Sequence, residues 1–542
     1  MRLLPRILPT EEEEEQRLEQ PDPEPLGDTN GPSLHWGGPA IVAAGAAIPR
    51  LIYLFAFTDP QNAGHGFTDA YHHWQIAYLT KEIGLTHGLR LWDLRGWEYY
   101  WGLLHPALTD LLFFATGSPD IVLARLLSLV FGSLTVVLIF LLCHRYWGTT
   151  VAVAASAFAA LAPASVFNDV AGMAEPIGVA LVLFGIWLTP RHGFWAGVSW
   201  ACAAMARVEA WLFGAGLIVA WLLGRRRGQP RWSLAAGWVL VLALYAKFLY
   251  DRTGNPIYPV YWSFQFVAFG GFDSGAVVPS GQEMLGLPLA GAVAVSAAGL
   301  AWSLWKRPPS YLLLVYGFGY SAYSFATFLK VDDWKERRFE FPMDFAAILV
   351  AVLLFKVLPE RRRGLEPLGW AIAIAGLLVV QIFWIPIQSA YSATEPGFRD
   401  QVRLGRAIGV VYNRPEYKGG GLTVPGDDPT LVYVLVRNEK VPGARISSEF
   451  YDPFYYLPAG YRYADHKESV GALLKCWLAS TQTRLLLVTP PSAFNHSVAD
   501  YNAFIADHSQ WFVDTGAQLD PGWSLVAVQV PAPGPHECPG SG

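Results

Sequence analysis

Eleven apolar stretches constrain this chain more than any other feature. They lie at about 39–57, 120–143, 150–167, 175–189, 193–206, 209–223, 232–250, 287–305, 310–329, 341–357 and 369–388. A helix crossing a bilayer at right angles needs ~20 such residues. Several of the stretches fall short, which is tolerable where a helix starts in a cavity or packs on its neighbours. Composition agrees: 53% of the 542 residues are hydrophobic and 15% are charged, where about 25% charged is usual. The expectation is a polytopic membrane protein in which helices alternate with loops. The net charge of −5 implies no nucleic-acid partner.

Charge distribution orients the spans. If residues 1–36 are cytoplasmic, the inner loops hold Arg145, Arg191, Arg225–Arg227 with Arg231, Lys306-Arg307 and Arg361–Arg363, as the positive-inside rule requires. The loops 58–119, 251–286 and 330–340 then lie outside, and so does everything after residue 390. Residues 103–116 are apolar but only about four turns long, so we read a re-entrant or interfacial helix, with a full span as the alternative. A full span would invert every later loop and turn the Arg clusters outward. The first apolar span begins near Gly37, too late for a signal peptide, and is expected to act as an anchor.

Three regions follow. Residues 1–36 carry Glu11–Glu15 and a Pro-rich run and read as a disordered cytoplasmic tail. Residues 37–390 are the membrane domain. Residues 391–542 regain charged and turn residues and read as an extracytoplasmic α/β domain. Its β-like runs are Thr430–Arg437, Arg484–Thr489 and Trp523–Val530, and its helix-like stretches about 397–412, 467–479 and 498–508. Cys476 and Cys538 can pair there if this part lies outside. The four cysteines show no metal-ligand spacing.

The loop at 58–119 is far longer than most connections. It gathers Asp69, His72, His73, Trp74, Trp97, Glu98 and His105. On the same expected outer side lie Asn168-Asp169, Glu175, Arg207, Glu209 and the run Lys330 to Glu340, which includes Lys335, Arg337 and Arg338. Any one of these taken alone is more simply a solvated loop charge or a helix-end side chain reaching water. Four loops converging on one side with carboxylates and cations make a site the better reading. Carboxylates at an apolar boundary can act as general bases. Arginines suit phosphate, and aromatics stack on sugars. The combination suggests sugar transfer from a lipid phosphate at the outer surface. His65, His72, His73 and Asp69 are competent metal ligands, but the adjacent His72 and His73 would diverge on a helix.

The arrangement resembles the GT-C superfamily of polytopic glycosyltransferases, which use polyprenyl-phosphate-linked donors. Thr68-Asp69-Ala-Tyr-His-His-Trp-Gln75 is similar to the acidic motif of their first outer loop, and Trp92-Asp93 and Trp97-Glu98-Tyr99-Tyr100 to its aromatic patch. Val170-Ala-Gly172-Met-Ala-Glu175 resembles the second acidic motif of oligosaccharyltransferase subunits. Trp334-Lys-Glu-Arg337-Arg338-Phe-Glu-Phe-Pro342 resembles a segment of dolichyl-phosphate-mannose-dependent mannosyltransferases.

The resemblance implies that Asp69 is the base that deprotonates the acceptor. Glu175 and Asp169 would support the acceptor or that base. Arg337 and Arg338, with Lys335 or Arg207, would hold the donor phosphate. His72, His73 and Trp74 would shape the pocket, with Trp97, Glu98 and His105 beside them. The donor would be a polyprenyl-phosphate hexose, mannose being the first candidate, and the acceptor a lipid, glycan or protein. The paired acids and the Trp-Trp-Asp-Tyr-Gly motif of oligosaccharyltransferases are missing, so the expectation is transfer without metal or other cofactor. The rival readings are a metal-dependent oligosaccharyltransferase, a lipid-linked sugar transporter or flippase, and a non-catalytic scaffold. No internal repeat stands out, which weighs against a transporter of duplicated halves.

Overall fold

The computed structural model describes residues 37–57, 68–94, 96, 98–224, 232–268, 282–331, 340–361, 364, 366–393, 396–424, 428–448, 463–489, 497–533 and 538. The proposed tail at 1–36, Trp97, Lys335, Arg337 and Arg338 lie outside these residues.

The membrane part begins with α1 (Gly37–Ile52), extended by a π-helical turn. Then come α2 (Thr68–Leu79), α3 (Leu104–Thr116) and α4 (Ile121–Trp147). They are followed by α5 (Thr149–Leu161), α6 (Pro163–Ala171), α7 (Glu175–Leu188), α8 (Gly193–Ala206), α9 (Glu209–Gly224) and α10 (Ser233–Thr253). The last members are α11 (Tyr258–Ala268), α12 (Gln282–Lys306), α13 (Tyr311–Val331), α14 (Glu340–Val352) and α15 (Glu366–Ala393).

Among the described residues four helical stretches are long and apolar enough to cross a membrane, and a fifth if α5 and α6 form one bent span. The protein is an integral membrane protein on that ground. The expected count of eleven spans would also need shorter apolar helices such as α7, α8 and α9.

Three local features shape the interior. Pro163 forces the preceding residue out of helical backbone, and Ala162 is extended, so α5 and α6 meet at 59°. The bend turns Asn168 and Asp169 into the protein, where both are buried. Gly132 on α4 makes room for Asp169: a Cβ there would sit 2.0 Å from the Asp169 carboxyl carbon. Gly172 then ends α6 in left-handed backbone (φ +86°), a common glycine role at helix ends.

Within the loop expected at 58–119, the described residues include two α-helices. α2 and α3 occupy it, and α3 matches the short apolar helix expected at 103–116.

After α15 come α16 (Pro396–Tyr412), β1 (Gly421–Val424), α17 (Pro429–Arg437), β2 (Ile446–Ser448), α18 (Lys467–Ser480), β3 (Thr483–Val488), α19 (Ser497–Asp507), β4 (Phe512–Asp514) and β5 (Ser524–Val528). The sheet order is β2-β1-β3-β5-β4, parallel from β2 to β3 and antiparallel beyond. Side chains alternate along β3: Leu485 and Leu487 face α16 and α17, and Leu486 faces α18 and α19, as the two-residue period of a strand demands.

One expected strand is a helix. Thr430–Arg437 reads as β from its Val and Tyr content, yet it forms α17. Pro429 stands at the first helical turn, and the Asp428 carboxylate caps the helix by accepting from the Leu431 N–H at 2.8 Å. Cap and proline favour helix start, and burial of Thr430 to Val436 on all sides removes the face that propensity would have exposed. Cys476 and Cys538 are disulfide-bonded.

Candidate active site

The site is built outward from α2. Asp69 lies in its first turn and is partly exposed, while His72 and His73 are fully buried. Both histidine rings lie edge-on to Trp101, but their other partners differ. His72 Nε2 meets Asp93 Oδ2 at 2.8 Å. His73 turns to Trp101 (ring centroids 5.1 Å apart) and to His105 at the start of α3 (4.8 Å). Neither ring nitrogen of His73 has a hydrogen-bond partner among the described residues. Burial and the neighbouring His105 push its imidazole well below the usual value, against the pull of Asp69. It is therefore neutral at physiological pH. Glu98 is also buried, and loss of solvation, then Asp93, raises it to about 7 despite its 2.8 Å contact with Arg90.

A second layer lies at the ends of three helices. Arg207 leaves α8 with extended backbone. Its Nε and Nη2 donate to the two carboxylate oxygens of Glu209 at 3.2 and 2.7 Å. Its Nη1 lies 3.2 Å from Glu175, which opens α7; a helix N-terminus favours a carboxylate. Arg207 and Asp69 are both within electrostatic reach of His73, and Tyr100 senses Arg207, Glu209 and Asp69 together. The first loop and the α8–α9 junction therefore lie close together: a Cβ on Gly102 would sit 2.3 Å from the Met205 carbonyl oxygen.

A third layer is deeper. Arg50 Nε donates to Asp169 Oδ2 at 2.6 Å, and its Nη1 donates to the carbonyls of Ala46 and Ala160. Glu340 is within hydrogen-bonding reach of Asp169. Asp344 accepts from Ser165 Oγ at 2.7 Å. Ionisable groups at this depth are costly unless paired.

No protein-family model and no curated protein sequence matches the chain. Solved structures do. ArnT from Cupriavidus metallidurans in its apo state superposes with a TM-score of 0.54 at 12% identity, covering 92% of this chain and all of that one. The same protein bound to undecaprenyl phosphate gives 0.52 at 12%, covering 91% and 98%. This is the GT-C fold. The oligosaccharyltransferase of Archaeoglobus fulgidus, in a complex with Zn and sulfate, superposes more loosely, with a TM-score of 0.47 at 13% identity over 82% of this chain and 67% of that one.

Within this GT-C fold, α2 and the helix ends around Glu175 and Arg207 bring together Asp69, His73, His105, Glu175 and Arg207. Other expected site residues stand apart. Trp74 stacks on Tyr78 and its Nε1 donates to the Pro119 carbonyl at 2.7 Å, on the opposite side of α2 from Asp69. Asp169 belongs to the deep layer with Arg50. Arg207 already meets two carboxylates, so it is an organiser of Glu175 and Glu209 rather than an open phosphate receptor.

Sequence reasoning passed over Arg50, Arg125 and Asp344, and named Asp93 only within the aromatic patch of the first loop. Arg50, Arg125 and Asp344 had a signal, since each is a charge inside an otherwise apolar helix. The pairing of Asp93 with His72 had none, because the two are 21 residues apart and only the chain's turn after α2 joins them.

Proposed function

We propose that this protein is an integral membrane glycosyltransferase that moves a hexose, mannose being the first candidate, from a polyprenyl-phosphate donor to an extracytoplasmic acceptor. The acceptor hydroxyl gives its proton to the Asp69 carboxylate. Its oxygen bonds to the anomeric carbon from the face opposite the phosphate. The bond from that carbon to the phosphate oxygen breaks, polyprenyl phosphate departs with the electron pair, and the configuration inverts. Lys335, Arg337 and Arg338 are assigned to the leaving phosphate, where cations would stabilise developing charge. Glu175 and Glu209, held by Arg207, orient the acceptor, and no metal is assigned a part.

The observation that supports this reading is that Asp69, Arg207 and Glu209 all act electrostatically on Tyr100, with Arg207 joined to Glu175 and Glu209, in a fold shared with ArnT. ArnT is described bound to undecaprenyl phosphate. The outward orientation draws support from Cys476–Cys538, since disulfides persist in oxidising compartments. The disulfide-bonded unit packs against α2, the helix that carries Asp69.

The test is transfer from radiolabelled polyprenyl-phosphate hexoses in purified membranes, comparing the native chain with Asp69→Asn, with and without EDTA. Transfer that survives EDTA and is lost in Asp69→Asn supports the proposal. Loss with EDTA would replace it with a metal-dependent oligosaccharyltransferase. Transfer unchanged in Asp69→Asn would remove the base from Asp69. No transfer from any donor would favour a lipid-linked sugar transporter.

A further inference from the structure

α2 is held from both sides. At about 100° per residue, Tyr71, Trp74 and Tyr78 share one face, and Asp69, His73 and Ile76 lie roughly opposite. The second group faces the membrane part: Ile76 joins its main apolar core, and His73 meets His105. The neighbouring Ala70 packs on Phe167, Ala171 and Met173 around the end of α6. The first group faces the C-terminal unit. The Tyr433 ring on α17 lies edge-on to Tyr71 at 5.3 Å and to Trp74 at 4.8 Å. The Gly443 N–H donates to Tyr78 Oη at 3.3 Å, and a Cβ on Gly443 would come within 2.4 Å of the Tyr78 ring. Tyr71, Trp74, Tyr78, Tyr433 and the sheet residues Leu422 and Leu485 form one continuous apolar core.

One turn beyond Tyr433 on the same helix, Arg437 Nε and Nη2 donate to Asp120 Oδ2 at 3.2 and 2.9 Å. Asp120 also caps α4 by accepting from the Val122 N–H at 3.0 Å. α17 is thereby tied to the membrane part beside the helix it covers.

We propose that Tyr433 and Arg437 are positioning residues for the catalytic helix. By filling the Tyr71/Trp74/Tyr78 face and anchoring α17 at Asp120, they set how far α2 presses its Asp69 face toward Arg207. This rests on the glycosyltransferase reading given above. The core of the C-terminal unit is continuous with the packing of α2, so a shift of α17 moves Asp69 without any contact between α17 and substrate. A misplacement near 1 Å at a reacting group can lower turnover by about 100-fold.

The experiment measures two quantities in the full-length protein in detergent: hydrogen exchange of the peptides covering 68–79, and sugar-transfer kinetics. Tyr433→Ala is expected to speed exchange in 68–79 by about tenfold or more and to lower kcat by about 10- to 100-fold. KM for the donor should stay within about twofold, since no binding contact is removed. Tyr433→Phe keeps the ring and is expected to match the native chain in both. Arg437→Ala, a partly exposed site, repeats the effect in weaker form should Tyr433→Ala not fold. Unchanged exchange in the folded alanine variants, or faster exchange with unchanged kcat, would overturn the proposal. If the native chain transfers no sugar, the glycosyltransferase reading fails by itself, and exchange still decides whether Tyr433 and Arg437 hold α2.

Discussion

Arg50 and Asp169 meet at 2.6 Å in the apolar interior, with side-chain exposures of 0 and 2%. They are 119 residues apart in the chain, and the bend at Pro163 is what brings them together. Around them Gly132, Ser165, Glu340 and Asp344 form a polar centre inside a bundle of apolar helices.

Breaking this pair from one side should be costly. Arg50→Leu leaves the Asp169 carboxylate buried beside Glu340 without its cation, and loss of one partner of a buried pair costs about 3–5 kcal/mol. The expected result is a large fall in the melting temperature of the detergent-solubilised protein. The double variant Arg50→Leu with Asp169→Leu should recover part of it, because the carboxylate that Arg50 contacts directly is then removed as well. A double variant no more stable than Arg50→Leu would mean that the pair is not what stabilises this centre.

Glu98 makes stability depend on pH, with a definite sign. Its ordinary value of 4.5 is raised to about 7 in the folded protein by burial, then by Asp93. Between those values the folded protein binds more protons than the unfolded chain, so stability falls as pH rises. The full loss is reached above about pH 7 and is on the order of 3 kcal/mol. Glu98→Gln removes the titration. Unfolding curves at pH 5 and pH 8 should therefore differ more for the native chain than for this variant; equal differences would show that Glu98 does not carry the dependence.

The Cys476–Cys538 disulfide closes a loop of 62 residues around α18, β3, α19 and the last strands. Constraint of the unfolded chain by a loop of this size is worth about 4 kcal/mol in the chain-entropy view. Cys538→Ser is expected to lower the unfolding temperature of the C-terminal unit and to speed its proteolysis between 490 and 540. Since that unit seats α2, transfer activity should fall in parallel on warming. A variant with native thermal behaviour would show that the tail is held by packing alone.

Much of the fold was legible in the sequence because it is local. A run of apolar residues must be a helix in a bilayer, since no water satisfies its backbone. Residues 120–143 and 341–357 were read in that way, and α4 and α14 lie there. Helices α16, α18 and α19 follow stretches read as helical at nearly the same bounds. The acidic and histidine-rich start of the segment between α1 and α4 was also visible, because its residues are neighbours in the chain.

What the sequence withheld depends on partners distant along the chain. The same apolar run at 430–437 suits strand or helix, and a cap at Asp428 with burial on every side decided for helix. β1 and β2 have four and three residues and exist only by pairing across the sheet. Above all, adjacency in sequence says nothing about direction in space. His73 and Trp74 are neighbours, yet about 100° of helical rotation sends one toward His105 and the other under Tyr433. The sequence by itself determined that this chain crosses a membrane and carries acids, histidines and aromatics at one end of its helices. Only the tertiary structure decided which of them share the His73 side of α2 and which pack under Tyr433, because that sorting is set by packing between segments hundreds of residues apart.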